Sequence, residues 1–144
     1  MSKPKVEENI GYWLILLSRS YRKRIQELLS EHGLFAGQDL LLMALLDRDG
    51  QTQSELAKRL QVQQATLTRM IKRVEASGLV ERKSDEEDGR ISRVFLTKAG
   101  MRMRRPIEAI WLAMEDDLFS SLTLEERLLL RRLLMQLHTE VQTE

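Results

Sequence analysis

The stretch from Thr52 to Leu96 leaves few folds open. Thr52-Gln53-Ser54-Glu55 has the form Ser/Thr-x-x-Glu immediately ahead of Leu56 and Ala57. A hydroxyl at the first position and a carboxylate at the fourth can each satisfy an amide left open at a helix start, so the spacing predicts a helix N-terminus here. That helix is expected to end near Leu60, with Gln61-Val62-Gln63 turning the chain into a second helix over Gln64 to Ser77. There Leu67, Met70, Ile71 and Val74 fall at i, i+3, i+4 and i+7 and form one apolar face. At about 100° per residue, the opposite face is centred on Ala65, Arg69 and Lys72, with Thr66, Thr68 and Arg73 on its flanks. Cations, hydroxyls and an alanine small enough for close backbone approach are the groups that reach guanine edges, thymine methyls and phosphates in a major groove.

Gly78 is placed to cap this helix in the left-handed conformation, with Leu79 folding back onto it. Two β-prone runs follow, Leu79 to Lys83 and Ile91 to Leu96, separated by the polar loop Ser84 to Arg90. The Asp88-Gly89 pair in that loop is a hairpin signal. Helix, turn, helix and a hairpin with Arg90 at its tip make the plan of a winged helix-turn-helix, and the implied partner is double-stranded DNA.

Charge supports a localised footprint. Lys and Arg number 23 against 22 Asp and Glu, so the net charge of +1 does not by itself suggest nucleic acid. Its distribution does: Arg69, Lys72 and Arg73 face only Glu75, and Lys98, Arg102, Arg104 and Arg105 follow with no acid among them. Absence of cysteine removes disulfides, thiolate metal sites and thiol redox sensing. His32 and His138 lie far apart, so neither a metal nor another cofactor is expected. The apolar run Trp13 to Leu17 is too short for a secretory signal, and Leu40 to Leu46 falls far below the roughly 20 residues of a membrane span. A soluble, cytoplasmic, nucleoid-associated protein with no membrane partner is the expectation.

Outside the central motif the chain is helical. Met1 to Lys5 are expected to fray, and Ile10, Trp13, Leu14, Leu17, Tyr21, Ile25 and Leu28 predict an amphipathic helix from about Val6 to Glu31, ended by Gly33. At about 1.5 Å per residue it is longer than a small winged helix needs for its own core. Arg19, Arg22, Lys23 and Arg24 on its exposed side read as a solvated face. Leu34 to Gly37 is a connector, and Gln38 to Asp47 is a helix apolar nearly all round. After the hairpin, Thr97 is the expected N-cap of a helix to about Ser120, with a kink or a division into two pieces at Pro106. A second capping box, Thr123-Leu124-Glu125-Glu126, opens a last helix carrying Leu129, Leu130, Leu133, Leu134, Leu137 and Val141.

The fold class is therefore mainly α with a small β-hairpin wing. A winged helix-turn-helix over residues 34–97 is flanked by helices over 6–32 and 98–143. Their leucine content exceeds what one small domain covers, which predicts a homodimer built from both chain ends, with Trp13, Leu17, Trp111, Leu130, Leu133 and Leu137 at the interface. A monomeric bundle packed over the core is the alternative.

The order of elements resembles the MarR/SlyA family of bacterial transcriptional regulators over nearly the whole chain. Gly33-Leu34 with Gln38, Leu56-Ala57 with Leu60 and Val62, and Leu67-Thr68-Arg69 carry the resemblance. So do Gly78-Leu79-Val80-Glu81-Arg82, Asp88-Gly89-Arg90 and Leu96-Thr97-Lys98-Ala99-Gly100. The resemblance implies that Gln64, Ala65, Thr66, Thr68 and Arg69 enter a major groove, that Arg90 enters the adjacent minor groove, and that Asp88 with Gly89 shapes the wing tip. Lys72, Arg73 and Arg93 complete the expected DNA-binding set. It also implies a palindromic operator, repression as the sign of control, and release by a small phenolic or anionic effector in a crevice near Tyr21, Ile25 and Met43. Those three residues fit plain core packing equally well. Two positions depart from the family pattern: Gln61 stands where a glycine is usual, and Phe35 replaces a capping hydroxyl. Asp85, Glu86, Glu87 and Asp88 also place acids beside the expected phosphate backbone.

Two rival classes remain. No nucleophile–base pairing, metal-spacing motif or glycine-rich phosphate loop suggests an enzyme, so no catalytic residue is expected. A helical protein-interaction module whose winged helix does not bind DNA is disfavoured by the basic face around Arg69.

Overall fold

Asn9 decides where the first long helix begins. In the computed structural model, which describes residues 5–142, a 3-10 turn at Val6–Glu8 precedes α1, Ile10–Ser30. The Asn9 side chain accepts the Tyr12 amide at 3.3 Å. The helix expected from Val6 is thus interrupted at Asn9, whose side chain serves a helix start better than a helix interior. The fraying expected of Met1 to Pro4 and the end of the predicted last segment at Thr143 lie outside the described residues.

The connector is tied down by side chains rather than by a capping hydroxyl. Gln26 donates to the Leu34 carbonyl at 3.3 Å and accepts the Ala36 amide at 2.7 Å. Gln38 accepts the Phe35 amide at 3.1 Å, and Asp39 accepts that of Gly37 at 3.0 Å. Both acceptors are buried, and they take over the capping work that Phe35 cannot do. Here α2 runs Gln38–Asp47, the predicted span, with Leu41, Leu42, Ala44 and Leu45 buried and Leu40 left exposed.

The sheet has one strand more than the predicted hairpin. Two-residue β1, Gln51–Thr52, pairs antiparallel with β3, Ser92–Leu96, which also pairs with β2, Val80–Ser84, in the order β1-β3-β2. The hairpin register runs from Val80 opposite Leu96 to Ser84 opposite Ser92. Two residues carry no readable alternation, so β1 left no trace in the sequence pattern. Asp88-Gly89 does not form a tight two-residue turn. Gly89 stays out of the left-handed region, and the loop closes instead through the Asp85 amide on the Ile91 carbonyl at 2.8 Å and the Ile91 amide on the Asp88 carbonyl at 3.0 Å.

Helices α3, Gln53–Leu60, and α4, Gln64–Ala76, fall where predicted. Thr52 Oγ1 accepts the Glu55 amide at 3.1 Å, but the Glu55 carboxylate reaches Arg48 at 2.8 Å, so only half of the expected capping box forms. Gln61 adopts φ 54°, ψ 46°, the left-handed turn conformation a glycine would take freely. At the end of α4 the Gly78 amide bonds the Glu75 carbonyl at 2.9 Å and the Leu79 amide the Val74 carbonyl at 3.1 Å, the paired bonds of a Schellman cap. Thr97 Oγ1 accepts the Gly100 amide at 3.1 Å and donates to the Gly78 carbonyl at 2.6 Å, joining this cap to α5, Lys98–Met101. A break at Arg102 and Met103 separates α5 from α6, Arg104–Phe119. Pro106 follows the break and sits in the first turn of α6, where its missing amide is not needed.

The chain divides into two units between Ile110 and Trp111. In the first, Leu29, Leu41, Leu45, Leu56, Leu67, Ile71, Val94 and Ile107 draw every long element into one core. The second contains the rest of α6 and α7, Leu124–Gln142, which opens with the complete capping box: Glu126 amide to Thr123 Oγ1 at 3.2 Å and Thr123 amide to Glu126 Oε2 at 2.8 Å. No described residue of α7 is buried, and Leu128, Leu129, Leu133, Leu134 and Leu137 are exposed. Among the described residues no helix is long and apolar enough to cross a membrane.

Candidate nucleic-acid interface

One face of α4 holds the protein's core and the other is open. Leu67, Ile71 and Val74 are buried, while Gln64, Ala65, Thr66, Arg69, Lys72 and Arg73 are exposed and Thr68 is half-buried. Thr68 donates its hydroxyl proton to the Gln64 carbonyl at 2.9 Å, leaving its methyl and oxygen lone pairs for a partner. Among the described residues neither Arg69 nor Lys72 has an ion-pair partner. Arg73 lies 5.8 Å from the centre of the Phe35 ring, a cation–π contact that draws it toward the α1–α2 connector.

The acid on this helix is removed from the open face. Glu75 accepts two bonds from Arg82 of β2, at 3.1 and 2.9 Å. Those charge-assisted bonds hold the Glu75 carboxyl below the usual carboxylate range and tie the helix to the wing strand. Sequence reading missed this pair, because a partner beyond a helix cap and on a strand follows no helical spacing.

The wing tip is knotted by two of its four acids. Asp85 Oδ2 accepts the Glu87 and Asp88 amides at 3.2 and 3.0 Å, and its Oδ1 accepts Arg93 Nε at 2.6 Å. The Arg93 guanidinium, then the Asp88 amide, hold the Asp85 carboxyl below its ordinary range. Asp88 accepts both the backbone amide and Nε of Arg90, at 3.1 and 3.2 Å. Asp85 and Asp88 therefore act as loop acceptors, and Glu86 and Glu87 stay exposed. The Arg90 side chain is 92% exposed while paired with Asp88.

Arg93, expected among the DNA-binding residues, is placed otherwise. Besides its bond to Asp85 it donates to the Gly50 carbonyl at 2.9 Å, which anchors the wing against the turn before β1. Of the residues of the expected effector crevice, Ile25 is core, Met43 is half-buried and Tyr21 is exposed, while three grooves on this unit are lined by other residues. Of the expected dimer residues, Trp13 is 55% and Leu137 54% exposed, and Leu17 and Leu133 are also open. Trp111 and Leu130 are half-buried. Trp13 donates its indole N–H to the Glu7 carbonyl at 2.7 Å, which fixes the ring while leaving its face in solvent.

Comparison with known proteins places this geometry among regulators. The MarR family model matches residues 36–92. The organic hydroperoxide resistance transcriptional regulator of Bacillus subtilis is 32% identical over 100 residues, covering 69% of this chain and 68% of the relative. The HTH-type transcriptional regulator TtmR of Methylorubrum extorquens is 30% identical over 105 residues; the match takes in 73% of this chain but only 54% of that longer protein. A crystal structure of a mutant MarR from E. coli complexed with operator DNA superposes with a TM-score of 0.82 at 27% identity, covering 89% of this chain and 92% of that one.

Proposed function

Because the chain belongs to the MarR family, we propose that it is a DNA-binding transcriptional regulator, working by binding rather than catalysis. Two copies present their α4 helices to successive major grooves about 34 Å apart on a palindromic operator. Gln64, Ala65, Thr66, Thr68 and Arg69 read bases, Lys72 and Arg73 contact phosphates, and Arg90 enters the neighbouring minor groove. Asp88 and Gly89 shape the tip that carries Arg90. Exposed leucines at both chain ends, together with Trp13, form the homodimer. Repression follows where the operator overlaps a promoter, in a cytoplasmic, nucleoid-associated setting. Release by a small phenolic or anionic effector belongs to the same reading, with Tyr21 and Met43 as the accessible residues of that crevice.

One observation carries this reading. Arg69 and Lys72 stand unpaired on the open face of a helix whose only acid is held by Arg82. Selection of bound duplexes from a random pool tests it directly. The expected product is a two-fold symmetric site with half-sites one helical turn apart, bound with steep salt dependence. Enrichment of no sequence, or binding that ignores salt, overturns it.

A further inference from the structure

Many cations of the first unit are tied up. Arg48 pairs with Glu55, Arg59 with Asp47, Arg82 with Glu75 and Arg93 with Asp85. A groove of about 500 Å³ beside the recognition helix is lined differently: Arg19, Arg22, Lys23 and Gln26 from α1, Phe35 from the connector, and Arg73 from α4. The four α1 residues stand at i, i+3, i+4 and i+7 and so share one helix face. Among the described residues none of Arg19, Arg22 and Lys23 has an ion-pair partner, and at these spacings like charges repel one another. Gln26 binds both the Leu34 carbonyl and the Ala36 amide, which holds the connector against this face. Phe35, 56% exposed, forms a wall on which the Arg73 guanidinium rests. Arg73 belongs at once to the groove and to the open face of α4, and so links the groove to the helix that carries Arg69 and Lys72.

We propose that this groove is a second phosphate-binding surface, which holds the DNA backbone beside the major groove that α4 reads. It rests on the regulator reading above. Arg19 to Lys23 covers about 6 Å of helix, enough for about two phosphates at roughly 3.4 Å of axial spacing per strand. The Phe35 ring offers the apolar edge of a deoxyribose a packing surface, and none of the residues lining the groove is acidic. The three α1 cations are thereby part of the DNA interface and not a solvated face.

The test is the full-length chain carrying Arg19→Gln, Arg22→Gln and Lys23→Gln, all at exposed positions, compared with wild type on the selected operator. Each neutralised phosphate contributes about 0.9 to the slope of log affinity against log salt, and about two phosphates are lost on each of two half-sites, so the slope is expected to fall by about 3.6. Hydroxyl-radical footprinting should lose one stretch of backbone protection per half-site, while preference for the operator over a scrambled duplex is kept. A slope within about half a unit of wild type, or an unchanged footprint, overturns the proposal. Uptake of free inorganic phosphate in the groove with all operator contacts intact overturns it too. A wild-type protein that binds no duplex sinks the regulator reading itself, whereas wild-type binding with an unaltered triple variant sinks the groove alone.

Discussion

In the proposed reading, Arg69 is the side chain on which discrimination between DNA sequences turns. It stands on the open face of α4 with no competing acid, so Arg69→Ala is expected to weaken the cognate complex by about 1–3 kcal/mol and a random duplex by less. Fluorescence anisotropy on both duplexes measures the difference; equal losses would make Arg69 a phosphate contact. Gln61 poses the opposite problem, a residue whose backbone is at odds with its side chain. A left-handed conformation costs a residue with a Cβ about 1–2 kcal/mol, and the extra freedom of an unfolded glycine cancels about half of that gain. Gln61→Gly should therefore raise the unfolding free energy by about 0.5–1 kcal/mol, seen as a higher urea midpoint at unchanged slope. A lower midpoint would mean that the glutamine side chain contributes more than its backbone strain removes.

The wing is held at the level of the element by acid–guanidinium pairs. Asp85 and Glu75 both have carboxyls below the ordinary range, each chiefly because an arginine donates to it. As pH falls, the unfolded chain takes up protons first, near the usual values of about 3.9 and 4.3. The contribution of these pairs is thus fully present above about pH 5–6 and is lost as pH falls through the lower folded-state values. Asp85→Asn should flatten the acid limb of a stability-against-pH curve followed by circular dichroism, and lower stability at neutral pH; an unaltered acid limb would show that the wing knot is not coupled to folding. Sequence reading caught the elements better than these ties. The spans of α2, α3 and α4 followed from apolar periodicity and a threonine cap, both encoded within a few neighbouring residues. By contrast, β1 was too short to show alternation. Asp88-Gly89 suggested a turn that Asp85 and its amide bonds override, and Arg93 gave no local sign that Asp85 and Gly50 would claim it.

At the scale of the whole molecule, the proposed homodimer rests on the exposed leucines. A lone chain leaves Leu128, Leu129, Leu133, Leu134 and Leu137 in water, an apolar set of the kind soluble monomers rarely expose. Leu133→Glu combined with Leu137→Glu is expected to give a monomer by sedimentation velocity and to reduce operator affinity toward that of a single half-site. A double variant that stays dimeric would place the interface on other residues. Both chain ends were recognisable as surplus apolar helices, but which residues stay open could be seen only once the first unit had filled its core. One further consequence follows from the bond of Thr97 to Gly78 and the pairing of Glu75 with Arg82. They tie reader, cap and wing into a single jaw. On the reading proposed above, release then acts like spreading a pair of callipers, where grip is lost through the gap between two unchanged jaws.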